Sequence, residues 1–262
     1  MTANATTQQP RSTFGNALPL LTGLGTLLGS VLLFELLIQT GGLNRFIVPP
    51  PSEILASFPR IIVEEHVLQR FVQTLTECLT AGLMLTVVGV AGGVLMQRFR
   101  LLQQACETWV AALASAPVVL CYPLFLVIFG RNAWTIIMMG FVAGLPPVIL
   151  KTLEGISGTR KVLVNVGRSF NLTQSQQFWK ILFPAALPTI FVGIRLGLIF
   201  ALINVVGVEF LINFGGLGQL INELAERYDL AGTYAAICFV VLVSVLFFMA
   251  VEKAERWLTR AE

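Results

Sequence analysis

Apolar residues run almost unbroken through six stretches of the chain, at 17–38, 74–96, 109–129, 133–150, 188–212 and 233–251. A helix needs about 20 such residues to cross the hydrocarbon of a bilayer, so the pattern predicts six transmembrane helices and an all-α integral membrane protein. The polar start of the chain has nothing to bury, and residues 1–16 are expected to be mobile. Residues 17–262 are expected to form one membrane domain. Between the fourth and fifth apolar stretches the pattern changes, and residues 151–188 form a polar, helix-forming insert carrying Lys151, Arg160, Lys161, Arg168 and Lys180.

Local signals divide the insert in two. A first helix over 161–170 is predicted to stop at Asn171, because asparagine tolerates the left-handed backbone that ends helices. Thr173 stands three residues before Gln176, so a hydroxyl and a returning amide can open a second helix over 174–182. Phe183-Pro184 and Leu187-Pro188 are expected to close it, giving helix, sharp turn, helix. Phe178, Trp179 and Ile181 alternate with Gln176, Gln177 and Lys180. Such a surface suits passing a movement from a soluble partner to the bilayer; it equally suits an ordinary amphipathic helix lying in the interface.

Composition narrows the class. The chain is 56% hydrophobic and 12% charged, against about 25% charged residues in soluble domains. A net charge of +3 without a basic run gives no reason to expect nucleic acid. Cys78, Cys106, Cys121 and Cys238 form no C-x-x-C pair and are expected to be buried packing residues. His66 is the single histidine, too little for a metal site or for an enzyme centre, so no catalytic or metal-binding residues and no cofactor are assigned. With the amino terminus inside, eleven Lys/Arg fall on the cytoplasmic side and five outside, Arg195 lying within a span. This imbalance places both termini and the insert in the cytoplasm.

Several residues inside or beside the spans invite a role. Glu35 is expected to reach the headgroups, and Ser52 to cap an external helix over 53–64. Pairs of glycines four apart, Gly89 with Gly93, Gly140 with Gly144 and Gly193 with Gly197, predict close helix packing. Pro117 and Pro123 should bend the third span and open a cavity wall, with Ser115 and Tyr122 as candidate lining. In the fifth span Arg195 is expected to snorkel to one surface and Glu209 to the other, leaving Asn204 near mid-depth. Ser115, Tyr122, Arg195 and Asn204 are therefore the candidate translocation path. Gly215-Gly216-Leu217-Gly218 has no following Gly-Lys-Ser/Thr and is not a phosphate loop.

The insert resembles the cytoplasmic loop of binding-protein-dependent ABC importer permeases, whose pattern is Glu-Ala-Ala, three residues, Gly, nine residues, then Ile-x-Leu-Pro. Here Asn165-Val166-Gly167, Asn171 and Ile181-Leu182-Phe183-Pro184 fall on those positions at the family spacing, with asparagine replacing the acid. Pro49-Pro50-Pro51-Ser52-Glu53-Ile54-Leu55 is similar to the stretch after the first span in the nitrate, sulfonate and taurine branch. Arg195-Leu196-Gly197, Val208-Glu209-Phe210 and Gly216-Leu217-Gly218 are similar to that branch's closing segment, and the resemblance covers about 47–246.

It implies a type I importer permease fold in a bacterial inner membrane, with cytoplasmic coupling helices between spans four and five. Implied partners are two ATPase subunits that bind the ATP, a second copy or a related permease, and an external solute-binding protein. Implied ATPase-coupling residues are Asn165, Val166, Gly167, Asn171, Thr173, Gln176, Phe178, Trp179, Ile181 and Pro184. The implied cargo is a small organic or inorganic anion. The absent acid at Asn165 suggests pairing with a different permease, while a homodimer that tolerates the change fits equally. A stand-alone secondary transporter or channel remains the alternative, although the deep charged pairs and inverted repeats expected of one are not evident.

Overall fold

The computed structural model describes residues 14–45 and 47–259. The expected mobile segment lies, for residues 1–13, outside the described residues; helix α1 already begins at Phe14 and runs Phe14–Gln39. There follow α2 (Pro51–Val63), α3 (Val67–Arg98), α4 (Arg100–Ser115), a 3₁₀ turn Val118–Cys121, α5 (Tyr122–Phe129) and α6 (Ala133–Ser157). The insert contributes α7 (Lys161–Ser169), α8 (Gln174–Gln177) and a π-helical turn Phe178–Leu182. The chain then ends in α9 (Phe183–Ile212), α10 (Gly216–Glu226) and α11 (Leu230–Thr259).

Five of these helices, among the described residues, are long and apolar enough to cross a membrane. The third span is bent, as its prolines predict: it consists of α4 and α5, turned by 92° about the turn between them, and counting this pair as one crossing gives six. Pro117 and Pro123 explain the break, since each removes a backbone donor and Pro117 forces Ala116 into an extended conformation.

Helix α6 is the centre of the bundle. Half of its apolar window is buried, against 6% for α1 and 11% for α11, which therefore turn their apolar faces to lipid. Glycines make the centre possible. A Cβ on Gly197 of α9 would sit 2.7 Å from the Gly144 carbonyl of α6, and one on Gly89 of α3 2.7 Å from Val148. In lipid, where burial from water no longer drives association, such backbone approach supplies the van der Waals contact that holds helices together. The packing expected of the glycine pairs is thus present. The burial expected of the cysteines is found at Cys78 alone: Cys106 is half-buried, and Cys121 and Cys238 are exposed.

At the end of the bundle opposite the insert, buried polar groups do the joining. The first N–H groups of α10 need acceptors, and α3 and α9 provide them. Gly216 N donates to Gln73 Oε1 (3.3 Å), Leu217 N to Thr74 Oγ1 (2.9 Å) and Gly218 N to Glu209 Oε2 (2.9 Å). The Thr74 hydroxyl in turn donates to Glu209 Oε1 at 2.7 Å. Glu209 is fully buried, so it does not snorkel to the surface as expected; the N-terminus of α10 and a threonine draw it inward. Gly216 has φ +72°, and a Cβ there would strike the Glu209 carboxylate. The glycine-rich turn exists so that α10 can begin on top of that acid.

Two further expectations change at this end. Glu35 does not reach for headgroups: its carboxylate accepts from Ser52 N (3.2 Å) and Ser52 Oγ (2.9 Å) at the start of α2. Ser52 accordingly is not the cap it was expected to be, and the acid caps the helix from α1. Arg131, just before α6, donates to the Ile212 carbonyl at 2.8 Å and closes the far end of α9.

Candidate functional site

The insert is built by local rules that the sequence obeys closely. Helix α7 ends with Asn171 at φ +52°, Asn171 N donating to Arg168 O (2.9 Å) and Leu172 N to Gly167 O (3.1 Å). These two bonds form a Schellman ending, with asparagine in the place glycine usually takes. Two residues on, Thr173 Oγ1 accepts from Gln176 N (3.3 Å) while Gln176 Oε1 accepts from Thr173 N (3.0 Å), a reciprocal capping box.

The two helices are then fixed to one another. Gln177 Nε2 donates to the Val164 carbonyl at 2.9 Å. Gly167 is buried, and a Cβ on it would lie 2.6 Å from Ile181 Cδ1. Of the three residues at the Glu-Ala-Ala positions, Gly167 thus faces the second helix, whereas Asn165 and Val166 face outward, Val166 being 45% exposed.

The expected stop at Phe183-Pro184 does not occur. Instead the backbone widens to a π register, Phe183 N donating to Phe178 O, and passes without a break into α9, where Pro184 occupies the second position. Proline has no N–H and is tolerated in a helix's first turn; the wider turn before it lets the new helix start in line. Phe178, Trp179 and Phe183 stack with ring centroids 5.2 to 5.9 Å apart. Phe178 also packs with Leu182 on Ile156, Ala186 and Ile190, at the meeting of α6 and α9. Trp179 remains 62% exposed.

The four path candidates are dispersed. A groove of about 360 Å³ opens beside the α4–α5 bend, walled by Pro117, Val119, Phe200, Asn204 and Gly207 among others. Asn204 lines it, its Nδ2 donating to Phe200 O at 2.9 Å. Ser115 and Tyr122 flank the bend: the serine hydroxyl donates to Ala111 O (3.3 Å), and Tyr122 packs on the core around Val118, Ile136 and Met139. Arg195 lies elsewhere, 3.0 Å from the Glu255 carboxylate of α11 and 5.8 Å from the Phe248 ring centre. Its counter-charge comes from the last two turns of α11, and both side chains keep part of their surface exposed. Among the described residues no group of three His, Cys, Asp or Glu is placed to hold a metal ion.

A multi-pass bundle with a rigid two-helix unit projecting from one end, and a groove beside a broken helix, is the architecture of a membrane permease driven from outside the bilayer. Residues 85–260 match the family described as binding-protein-dependent transport system inner membrane component, and the chain belongs to that family. A probable ABC transporter permease of Brucella melitensis is 25% identical over 244 residues, covering 92% of this chain and 98% of its own length. The taurine transport system permease protein TauC of Escherichia coli is 22% identical, covering 83% and 81%. The nitrate import permease protein NrtB of a Synechocystis strain is 29% identical over 61% of this chain and 58% of its own. Among solved structures, the inward-facing MetNI methionine ABC transporter superposes with a TM-score of 0.64, at 20% identity over 78% of this chain and 98% of that one.

The fold is therefore that of the type I importer permeases, and the chain is the membrane subunit of a binding-protein-dependent ABC importer. Such subunits are not catalytic; they work with an ATPase and a substrate-binding protein. The stand-alone transporter reading falls away. Sequence reasoning missed the Glu35 cap, the burial of Glu209 and the Gln177 tether, each a contact between residues far apart in the chain or in different helices.

Proposed function

We propose that this permease imports a small anion, of the sulfonate or nitrate kind handled by its relatives, and that two permeases and two ATPase subunits form the working unit. Both termini and the insert lie in the cytoplasm, where ATP binding and hydrolysis by the partner supply the work. The outward face of α7, with Asn165 and Val166, and the exposed ring of Trp179 meet the ATPase. Asn171, Thr173, Gln176, Gly167 and Ile181 hold that face in shape, and Phe178 and Pro184 pass its displacement on.

The observation that carries this reading is the unbroken backbone from α8 through the π turn into α9. A hinged loop would absorb a push, whereas a helix fixed at its base to α6 transmits it along about 1.5 Å of axis per residue. A movement of the insert then shifts α9 against α6 and changes access to the groove by Asn204. Cargo handed over by the binding protein passes along that groove, and a bundle with two packings is biased from one to the other by the docking energy of the ATPase.

Cysteine placed at Val166 in the assembled importer should cross-link to the ATPase subunit, with the yield changing between nucleotide-free and ATP-bound states. Cross-linking to lipid-reactive probes alone, with none to the ATPase, would overturn the coupling role. Counting distinct permease chains in the purified complex distinguishes a homodimer from a mixed pair.

A further inference from the structure

At the insert end, a cavity of about 480 Å³ lies between the last turn of α3, α7 and the α8 segment. Its size is in the range of about 300 to 1,000 Å³ typical of small-ligand sites. Arg98, from the end of a membrane span, and Arg168, from the last turn of α7, both line it. No carboxylate lines it, and among the described residues neither arginine makes an ion pair. Two arginines thus line one space that no carboxylate lines. The same space has an apolar wall that includes Val94 of α3 and Leu182 of the π turn, and three amides, Gln97, Gln174 and Gln177.

We propose that this cavity binds the headgroup of an acidic membrane phospholipid. Arg98 and Arg168 pair with the phosphodiester, and the glycerol and first methylenes run along Val94 and Leu182 toward the hydrocarbon. Three observations favour a lipid. Basic hollows between the ends of membrane helices suit anionic headgroups, and guanidinium groups match phosphate oxygens in geometry as well as charge. Val94 and Leu182 belong to the two elements that enter the bilayer, α3 and the base of α9.

Such a lipid would bridge a span that does not carry the insert to the insert itself. Apart from it, the α3 end and α7 contribute two like charges, both on exposed residues, to one open hollow. Occupancy by an anion ties the two together.

The test uses the complete chain with its partner ATPase, purified in mild detergent and titrated with dioleoyl phosphatidylglycerol or dioleoyl phosphatidylcholine, the retained lipid being read by native mass spectrometry. The wild type should retain the phosphatidylglycerol at about tenfold lower concentration than the phosphatidylcholine. That preference should vanish in the Arg98→Gln, Arg168→Gln double variant and persist when Arg100, which does not line the cavity, is changed to Gln. If the double variant does not assemble, Arg168→Gln alone, on an exposed short helix, should lower the preference several-fold.

Equal retention of phosphatidylglycerol by wild type and double variant overturns the proposal. Displacement of the lipid by millimolar inorganic phosphate would show a free-anion site instead. Loss of the ATPase from the double variant, with lipid retention unchanged, would show a protein contact there. These outcomes leave the coupling role of Val166 untouched, so the two readings fail separately.

Discussion

The two ends of this bundle are assembled by different means. Opposite the insert, side chains from separate helices meet across the fold: Arg70 with Glu223 (2.7 Å), Arg227 with Glu65 (2.8 Å), Arg60 with Asp229, and the buried set of Thr74, Glu209 and the first turn of α10. At the insert end, Arg98, Arg100, Arg160, Lys161, Arg168 and Lys180 have no acidic partner among the described residues, and order comes from caps within a few residues. The first end is a clamp in which these long-range polar contacts surround an apolar cluster that includes Ile61, Val67, Leu217, Leu220 and Leu224. The second is a preshaped surface with unspent charge, held to the bundle by Phe178, Leu182 and the continuous helix. A transporter needs both: one end must keep the helices in register while the other is free to be gripped from outside.

If that contrast holds, substitutions at the clamp should act on stability and substitutions at the insert on coupling. Glu209→Ala is expected to have the largest effect. It leaves the Gly218 N–H without its acceptor in a buried site, and losses of this kind cost about 1 to 3 kcal/mol per group. With the cavity added, a loss of about 3 kcal/mol should show as a clear fall in the thermal midpoint of the detergent-solubilised complex. A midpoint unchanged within a degree would break the comparison.

Gly216→Ala should follow. It forces a side chain into a left-handed backbone, about 1 to 2 kcal/mol, and presses it on Glu209, so the same midpoint should fall by slightly less. Thr173→Ala removes the capping hydroxyl of α8, worth about 1 kcal/mol. Its expected signature is local: faster amide exchange over 173–177 and weaker ATP-driven uptake, with the global midpoint preserved. Gly167→Ala should be close to neutral, because the new methyl presses only on the movable tip of Ile181, touches Gln177 at an ordinary 3.5 Å, and a helix gains about 1 kcal/mol from alanine over glycine. Gly167→Leu cannot be accommodated that way and should uncouple ATP hydrolysis from uptake without unfolding the bundle.

Much of the insert was legible in the sequence because its order is local. Asn171 and the Thr173–Gln176 spacing carry their own backbone instructions, and the structure follows both. Pro184 misled, because a proline reads as a stop only when the register before it is fixed; one π turn removes the conflict. Arg195 and Glu209 were only half legible, for another reason. A charged residue in an apolar run shows its cost in the sequence but not its partner, and Glu255 and Thr74 stand 60 and 135 residues away.

The sequence by itself determined that the chain spans a membrane about six times and where the insert's first helix ends and its second begins, since hydrophobic length and short-range capping act within one segment. Only the tertiary structure decided that α6 is the centre, that the bend in the third crossing is as large as 92°, and that two arginines from different elements line one cavity. These outcomes depend on how far apart helices can come to rest and which polar groups then share a space free of water, and a linear string holds no distances between its helices.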